Sequence, residues 1–254
     1  MHRFFTRRNI PLRPFTAGLS GIFAIAAFGF SRPANAQMSA APDAAEEPEL
    51  PHAFFTHMGL PEGVGKFNLR VLALATRIDG ETDGDFAFHL ETGLTRYIGL
   101  HVRNDRTLDN EKTEAMFQFA AYVSKDGMSG FAPIIEFEIP TKTGASRIGT
   151  LVGFTSSLGS QNWAFNQVVH YDPREDMVDA SAAMVFKASR SIFPVLELLG
   201  EGGEGQTPAI NGLAGVKVRL SDWLIGGVAF QFPLSKRRKM SSQLGFGPDI
   251  EWAR

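Results

Sequence analysis

The side chains able to do acid–base or metal chemistry in this 254-residue chain are 6 histidines and 27 acids, and there is no cysteine. A thiol nucleophile, a disulfide scaffold and a thiolate-bound metal are thereby excluded. His89 and Glu91 alternate on one side of a stretch whose other side is Phe86, Phe88 and Leu90. His101 and Arg103 alternate in the same way against Ile98, Leu100 and Val102. If Leu94 to Arg96 form a three-residue hairpin loop, Gly93 faces Tyr97, His89 stands opposite His101, Glu91 opposite Gly99, and Ala87 opposite Arg103. Two imidazoles beside a carboxylate and a guanidinium suit three roles: a divalent-metal site, a constriction whose charge changes between about pH 5 and 8, or a salt-bridge network. Glu136 and Glu138 project to the same side from a later stretch, and Lys217 and Arg219 share a side with Gly215. His52 and His57 bracket Ala53-Phe54-Phe55-Thr56 at a spacing that suits neither one helix face nor a standard zinc pair. They read as solvated, or as part of a segment packing under or into the body of the protein, where Phe54 and Phe55 would find a home.

The elements that carry these residues are strands. From Phe67 onward apolar and polar residues alternate with a period of two, and twelve such stretches can be counted up to Trp252. Phe117, Phe119, Ala121 and Val123 oppose Glu114, Gln118 and Tyr122, and Phe131, Ile135, Phe137 and Ile139 oppose Glu136 and Glu138. One face is dense in Phe, Ile, Leu and Val, while the other mixes charges with small residues such as Ala87, Gly99, Gly153 and Gly215. Bulky apolar residues outside and small or ionic ones inside match a transmembrane barrel rather than a soluble sandwich. On this reading Phe119→Arg should cost about 2 to 4 kcal/mol, and Gln118→Arg far less.

Connection lengths point the same way. They alternate between long ones, beginning with Ile78 to Gly84, and short ones, beginning with Gly93 to Arg96, as outward loops and periplasmic turns do. The first long loop carries Asp79, Glu81 and Asp83, and the last carries Lys236, Arg237, Arg238 and Lys239. Closure puts these opposite charge runs at one seam of the outer rim, where they latch together or the basic run meets lipopolysaccharide phosphates. Three features fit less well: Gln167 on an apolar face, Pro133 and Pro194 within strands, and an aromatic content of 22 Phe against 3 Tyr and 3 Trp. Aromatic girdles normally favour Tyr and Trp.

Residues 1–36 carry five arginines and no acid, then an apolar run from about Phe15 to Phe30, then Ala34-Asn35-Ala36. That is a secretory signal peptide, too short in its apolar part to span a bilayer, which takes roughly 20 residues. Cleavage leaves 20 basic residues against 27 acidic, so no case for nucleic-acid binding survives. Residues 37–64, rich in Ala, Pro and Glu, read as a flexible periplasmic lead-in, and 65–254 as the barrel.

The hairpins Gly93-Leu94-Thr95-Arg96-Tyr97-Ile98-Gly99-Leu100 and Leu220-Ser221-Asp222-Trp223-Leu224-Ile225-Gly226 look like variants of one turn. With Phe137-Glu138-Ile139-Pro140 and Phe230-Gln231-Phe232-Pro233, they resemble the outer-membrane barrels grouped as phenol-degradation-pathway transporters. The resemblance implies passage of small aromatic or hydrophobic molecules and transfers no site residue. The closing strand, with Leu244, Phe246, Ile250 and Trp252 on one face, resembles the signal read by the barrel assembly machinery. One outer-membrane phospholipase is also a twelve-stranded barrel, but no His here has Ser two residues on, and no G-x-S-x-G, H-E-x-x-H or phosphate loop occurs.

The sequence therefore predicts an all-β, single antiparallel transmembrane barrel of about twelve strands, with ten as the alternative, in the outer membrane of a Gram-negative bacterium. Its expected partners are lipid, lipopolysaccharide, the assembly machinery and a small-molecule solute. Its expected role is passive passage without cofactor or catalysis, the alternative being a closed barrel with a structural or partner-binding role.

Overall fold

A computed structural model describes residues 50–105, 112–141, 148–236 and 242–253. The predicted signal peptide and the first part of the lead-in lie outside them. Twelve antiparallel strands follow one another around a ring. They are β1 (Lys66–Ile78), β2 (Glu81–Thr95), β3 (Ile98–Asn104), β4 (Lys112–Phe119, resuming at Tyr122–Val123), β5 (Gly130–Pro140) and β6 (Gly149–Ser160). The ring continues with β7 (Trp163–Asp172), β8 (Met177–Phe186), β9 (Ile192–Gly203), β10 (Ala209–Arg219), β11 (Leu224–Pro233) and β12 (Ser242–Ala253). Each pairs with its sequence neighbour, and β1 pairs with β12, from Lys66 opposite Ala253 to Arg77 opposite Ser242. The sheet therefore has no free edge, which removes the unpaired backbone groups that hydrocarbon would not tolerate.

The oily face points outward. Phe86, Leu196, Phe230 and Phe246 are each about half exposed, although none is near a turn, while their strand neighbours Asp85, Ala87, Glu197 and Gln231 are buried. Side chains alternate across a strand, so this pattern places one apolar set outside and, in the lumen, the polar set together with an apolar cluster that includes Leu72, Val185, Phe193 and Leu213. Pro133 and Pro194 both lie on outward positions of intact strands. Gln167 also points outward, buried beside its cross-strand neighbours Ser156 and Ala182.

Three local expectations change. The turn between β2 and β3 is only Arg96-Tyr97, preceded by a register irregularity between Gly93 and Thr95. Thr95 Oγ1 accepts from the Tyr97 and Ile98 N–H groups at 3.1 Å each, which holds the tight turn. Glu91 therefore faces His101, and His89 faces Arg103, two residues away from the expected register. In β4 one extra residue enters at Ala120-Ala121, since Gln118 pairs with Ile134 but Tyr122 with Phe131. A bulge of one residue flips every later side chain to the other face, and Tyr122 points out instead of in. The expected long loop at Ile78 to Gly84 is a two-residue turn, Asp79-Gly80, both with positive φ, the conformation that matches strand twist in tight hairpins.

The lead-in is the largest difference. Over its described part the flexible reading of 37–64 gives way to the alternative offered for His52 and His57: Pro51 to Thr56 lie in the lumen, nearly all of them buried. The chain continues through His57 and Gly59 to a bridge between Val64 and Gly93 before entering β1. A twelve-stranded ring encloses more volume than the side chains of its own inner face fill, and this segment occupies the turn end of that space.

Candidate functional site

The lumen residues fall into two levels. At the turn end, the wall grips residues 52–62. Glu197, from β9, accepts hydrogen bonds from three successive backbone N–H groups: Phe54, Phe55 at 3.1 Å and Thr56 at 2.8 Å. It also accepts the Thr56 hydroxyl at 2.9 Å. Successive N–H groups converging on one anion form a nest that needs no side-chain cation. Arg70, from β1, donates to the carbonyls of Ala53 and Phe54 and pairs with Glu91. Lys217, from β10, pairs with Asp249, donates to Ala53 O at 3.2 Å and stands 4.8 Å over the Phe54 ring. That ring rests on Gly215 and Gly227, where an added Cβ would stand 2.6 and 2.8 Å from it. On the opposite wall, Gln118 donates to Met58 O at 3.0 Å and to the Thr155 hydroxyl, while Thr155 donates to Gly59 O at 2.9 Å. Gly59 lies so close to β6 that a Cβ would stand 2.2 Å from Ser156 O.

Histidines join the segment to β2 and β3. His52 stands 2.7 Å from Glu62 and 3.0 Å from Glu91. Burial lowers its affinity for a proton, but these two carboxylates override it and raise His52 to about 10. Glu62 moves the opposite way: burial raises it, and His52 more than compensates, so its pKa falls. His57 is lowered well below the ordinary imidazole value by burial and then by the Arg103 guanidinium. The lead-in thus brings one cationic and one neutral imidazole into contact with the same carboxylate.

At the loop end the lumen opens. A cavity of about 320 Å³ is floored by Phe55 and His57, walled by Ile78, Val168, Leu199 and Ala209, and marked by Arg103, Asp105, Asp179 and Glu201. Around it Arg103 pairs with Glu114, His89 with Asp105 at 2.6 Å, and His170 with Glu136 at 3.2 Å. Arg174 reaches Asp172 at 2.7 Å and Glu138, which also holds Lys112.

All eight candidate lumen residues face inward, in separate groups. His89, Glu91, His101 and Arg103 converge with the lead-in; Glu136 and Glu138 belong to the loop-end clusters. Lys217 joins the turn-end grip, and Arg219 pairs with Glu251 at 3.5 Å. Asp79, Glu81, Asp83 and Lys236 are exposed at the outer end. Arg237, Arg238 and Lys239 lie outside the described residues, and with them the predicted latch. Sequence reasoning missed Arg70, Glu197, Asp249 and Gln118 as anchors. Arg70 had a signal in its alternation with Asn68, whereas Glu197 stands in a run of apolar residues on both faces. The mild effect expected of Gln118→Arg is overturned, because Gln118 is fully buried and bonded to Met58, Thr155 and His101.

The aromatic rim also differs from what composition suggested. Tyr97, Tyr122, Trp163 and Trp223, four of the six Tyr and Trp residues, are exposed at the turn end. Rings with polar tips collect where hydrocarbon meets headgroups.

Two solved structures share this architecture. The NanC porin aligns at 6% identity with a TM-score of 0.53, covering 72% of this chain and 99% of that one. The COG4313 outer membrane channel from Pseudomonas putida F1 aligns at 10% identity with a TM-score of 0.55, covering 76% and 98%. The fold is that of outer-membrane channel barrels. No family model matches the chain, and no curated relative matches it.

Proposed function

We propose that this chain is an outer-membrane channel for small solutes that its own N-terminal segment holds closed. The observation that carries the reading is that the loop-end cavity ends on Phe55 and His57 of that segment rather than on barrel side chains. A barrel with nothing to pass needs no such stopper, because the ion pairs of its wall can fill a narrow lumen by themselves. The stopper is held by hydrogen bonds and ion pairs and by the packing of Ala53 and Phe54 into an apolar cluster with Leu72, Val185, Phe193 and Leu213, so opening must break both kinds of contact.

The solute class follows from the cavity. Its volume suits a single small molecule, and its wall sets apolar side chains among many polar and charged ones. Ile78, Val168, Leu199 and Phe55 favour a ring or short hydrocarbon, while Asp105, Asp179 and Arg103 offer partners for a hydroxyl. This agrees with the resemblance to phenol-pathway transporters. On this reading the protein is exported through the periplasm of a Gram-negative bacterium, inserted by the barrel assembly machinery, and surrounded by lipid and lipopolysaccharide. Passage is passive and needs no catalysis.

A second reading is a permanently closed barrel with a structural or partner-binding role. It is favoured by Phe54, whose ring is wedged against two glycines and fully buried. Planar-bilayer recording separates the two. If the segment is a gate, deleting residues 37–62 gives steady single-channel steps, and the intact mature chain gives rare or smaller ones. Silence from both, in samples that remain heat-modifiable and folded, overturns the channel and leaves the closed barrel.

A further inference from the structure

The contact between the N-terminal segment and the β2–β3 wall contains a point on which lone pairs converge. Glu91 and His101 are cross-strand partners, and His57 comes down on them from inside the lumen. His101 Nδ1 lies 3.2 Å from His57 Nδ1 and 3.4 Å from Glu91 Oε2, and His57 Nδ1 lies 3.8 Å from Glu91 Oε1. All three residues are buried to within 2% of completeness. A tetrahedral ion with bonds of roughly 2.0–2.2 Å holds its ligand atoms about 3.4 Å apart. The two separations from His101 Nδ1 are close to that edge length, and the ligand atoms of the three residues all lie within 4.8 Å of one another.

The hydrogen bonds around the triad leave the inward atoms free to act as ligands. Gln118 spends its amide N–H groups on Met58 O and Thr155 Oγ1, so its carbonyl oxygen faces His101 Nε2 at 3.2 Å. His101 must donate from Nε2, and its neutral form therefore turns a bare Nδ1 toward Glu91 and His57. This is the outer arrangement by which metal-binding histidines are usually oriented. Arg70 occupies Glu91 Oε1, while Glu91 Oε2 has no hydrogen bond, although His52 Nδ1 stands 3.0 Å away as an ion-pair partner. With its Nε2 proton given to Gln118, His101 Nδ1 is a buried acceptor that faces Glu91 Oε2 and His57 Nδ1, which is costly unless a proton or a cation stands between them.

We propose that His57, Glu91 and His101 form a site for a divalent first-row transition metal such as Zn2+, which clips the N-terminal segment to the barrel wall. Two imidazoles and one carboxylate leave a fourth position for water, and the set is too nitrogen-rich for Ca2+ or Mg2+. An ion can reach it from the loop end, because His57 forms part of the cavity floor. His52, Glu62 and Glu91 make a second close triad, but its His52–Glu62 contact is already an ion pair, so we assign the metal to the first. The assignment goes beyond the channel reading and stands whether or not the barrel conducts.

The test uses tag-free mature protein, folded in detergent and stripped with chelator. Titration with ZnCl2 should show a single equivalent bound. Co2+ in its place should give the visible absorption of a four-coordinate nitrogen and oxygen site. His57→Ala changes only the segment, so the barrel can fold without it; His101→Ala changes the wall. Each should weaken Zn2+ binding by about 100-fold or more, since losing a ligand costs at least as much as losing its outer support. Zn2+ should also slow proteolysis of residues 50–60 in the parent protein and not in His57→Ala. Absence of Zn2+ binding by the parent, or variants that bind as tightly as the parent while remaining heat-modifiable, overturns the site.

Discussion

On the turn side of His57 the barrel wall is satisfied by a piece of its own chain, whereas on the loop side the same wall encloses a cavity. Both halves are lined with ionic side chains, but they use them differently. In the turn half Arg70, Lys217 and Glu197 are nearly or completely buried, and each binds backbone of the N-terminal segment. In the loop half the charges pair mainly with one another along the wall, as Glu138 does with Lys112 and Arg174, and the cavity lies within that wall. Buried charge is costly unless every lone pair and proton is met. The turn half meets much of that demand by using peptide groups as partners, so its stability depends on the segment remaining in place.

The sharpest way to break this contrast is to remove one acceptor from the turn half. Glu197→Ala orphans three backbone N–H groups and a hydroxyl. It should cost about 3 to 5 kcal/mol, because each buried unmet donor costs roughly 1–3 kcal/mol and entering water recovers part of it. The loss should appear as easier unfolding in urea and as new protease cuts between Pro51 and Met58. An unchanged cleavage pattern would mean that the segment is held by Phe54 packing and not by its polar nest.

A second change tests the frame common to both halves. Leu196 is 54% exposed in mid-strand beside buried Glu197. Leu196→Arg should cost about 2 to 4 kcal/mol in a lipid bilayer, the expense of an arginine near the midplane. The same change measured in a small-micelle detergent should cost less, because water reaches the side chain. Equal and negligible losses in both would contradict an outward face bathed in hydrocarbon.

What the sequence made legible follows from this geometry. The period of two identified the faces, and because the β2–β3 hairpin slipped by two residues, His89, Glu91, His101 and Arg103 kept their inward direction although their partners changed. The single-residue bulge at Ala120-Ala121 is different: it reversed Tyr122, and no pattern of hydrophobicity marks where an extra residue enters. The aromatic rim was missed because it depends on where Tyr97, Tyr122, Trp163 and Trp223 fall along the barrel axis, not on how many there are. That residues 52–57 could pack into the barrel was legible in Phe54 and Phe55, which need burial, but the wall residues that grip residues 52–59 were not. Alternation reports which way a strand residue points, but it says nothing about what enters the space the strands enclose, and Gln118, Thr155 and Glu197 look like ordinary lumen polar residues until that segment is present.

The smallest effect should come from the loop half. Asp179 lines the cavity, is exposed, and lies opposite His170 on the neighbouring strand. Asp179→Asn should leave the unfolding midpoint within about 0.5 kcal/mol of the parent, as surface changes away from caps and buried networks do. In the variant lacking residues 37–62, however, it should shift the reversal potential in a salt gradient toward anions, because a fixed negative charge at the mouth of a narrow passage enriches cations there. The two readouts need not move together. A substitution that changes selectivity without changing stability would assign the loop half to the solute and the turn half to closure. If Asp179→Asn instead destabilised the barrel as much as Glu197→Ala does, the two halves would be one cooperative unit, and the cavity would be a gap in packing rather than a place built for a solute.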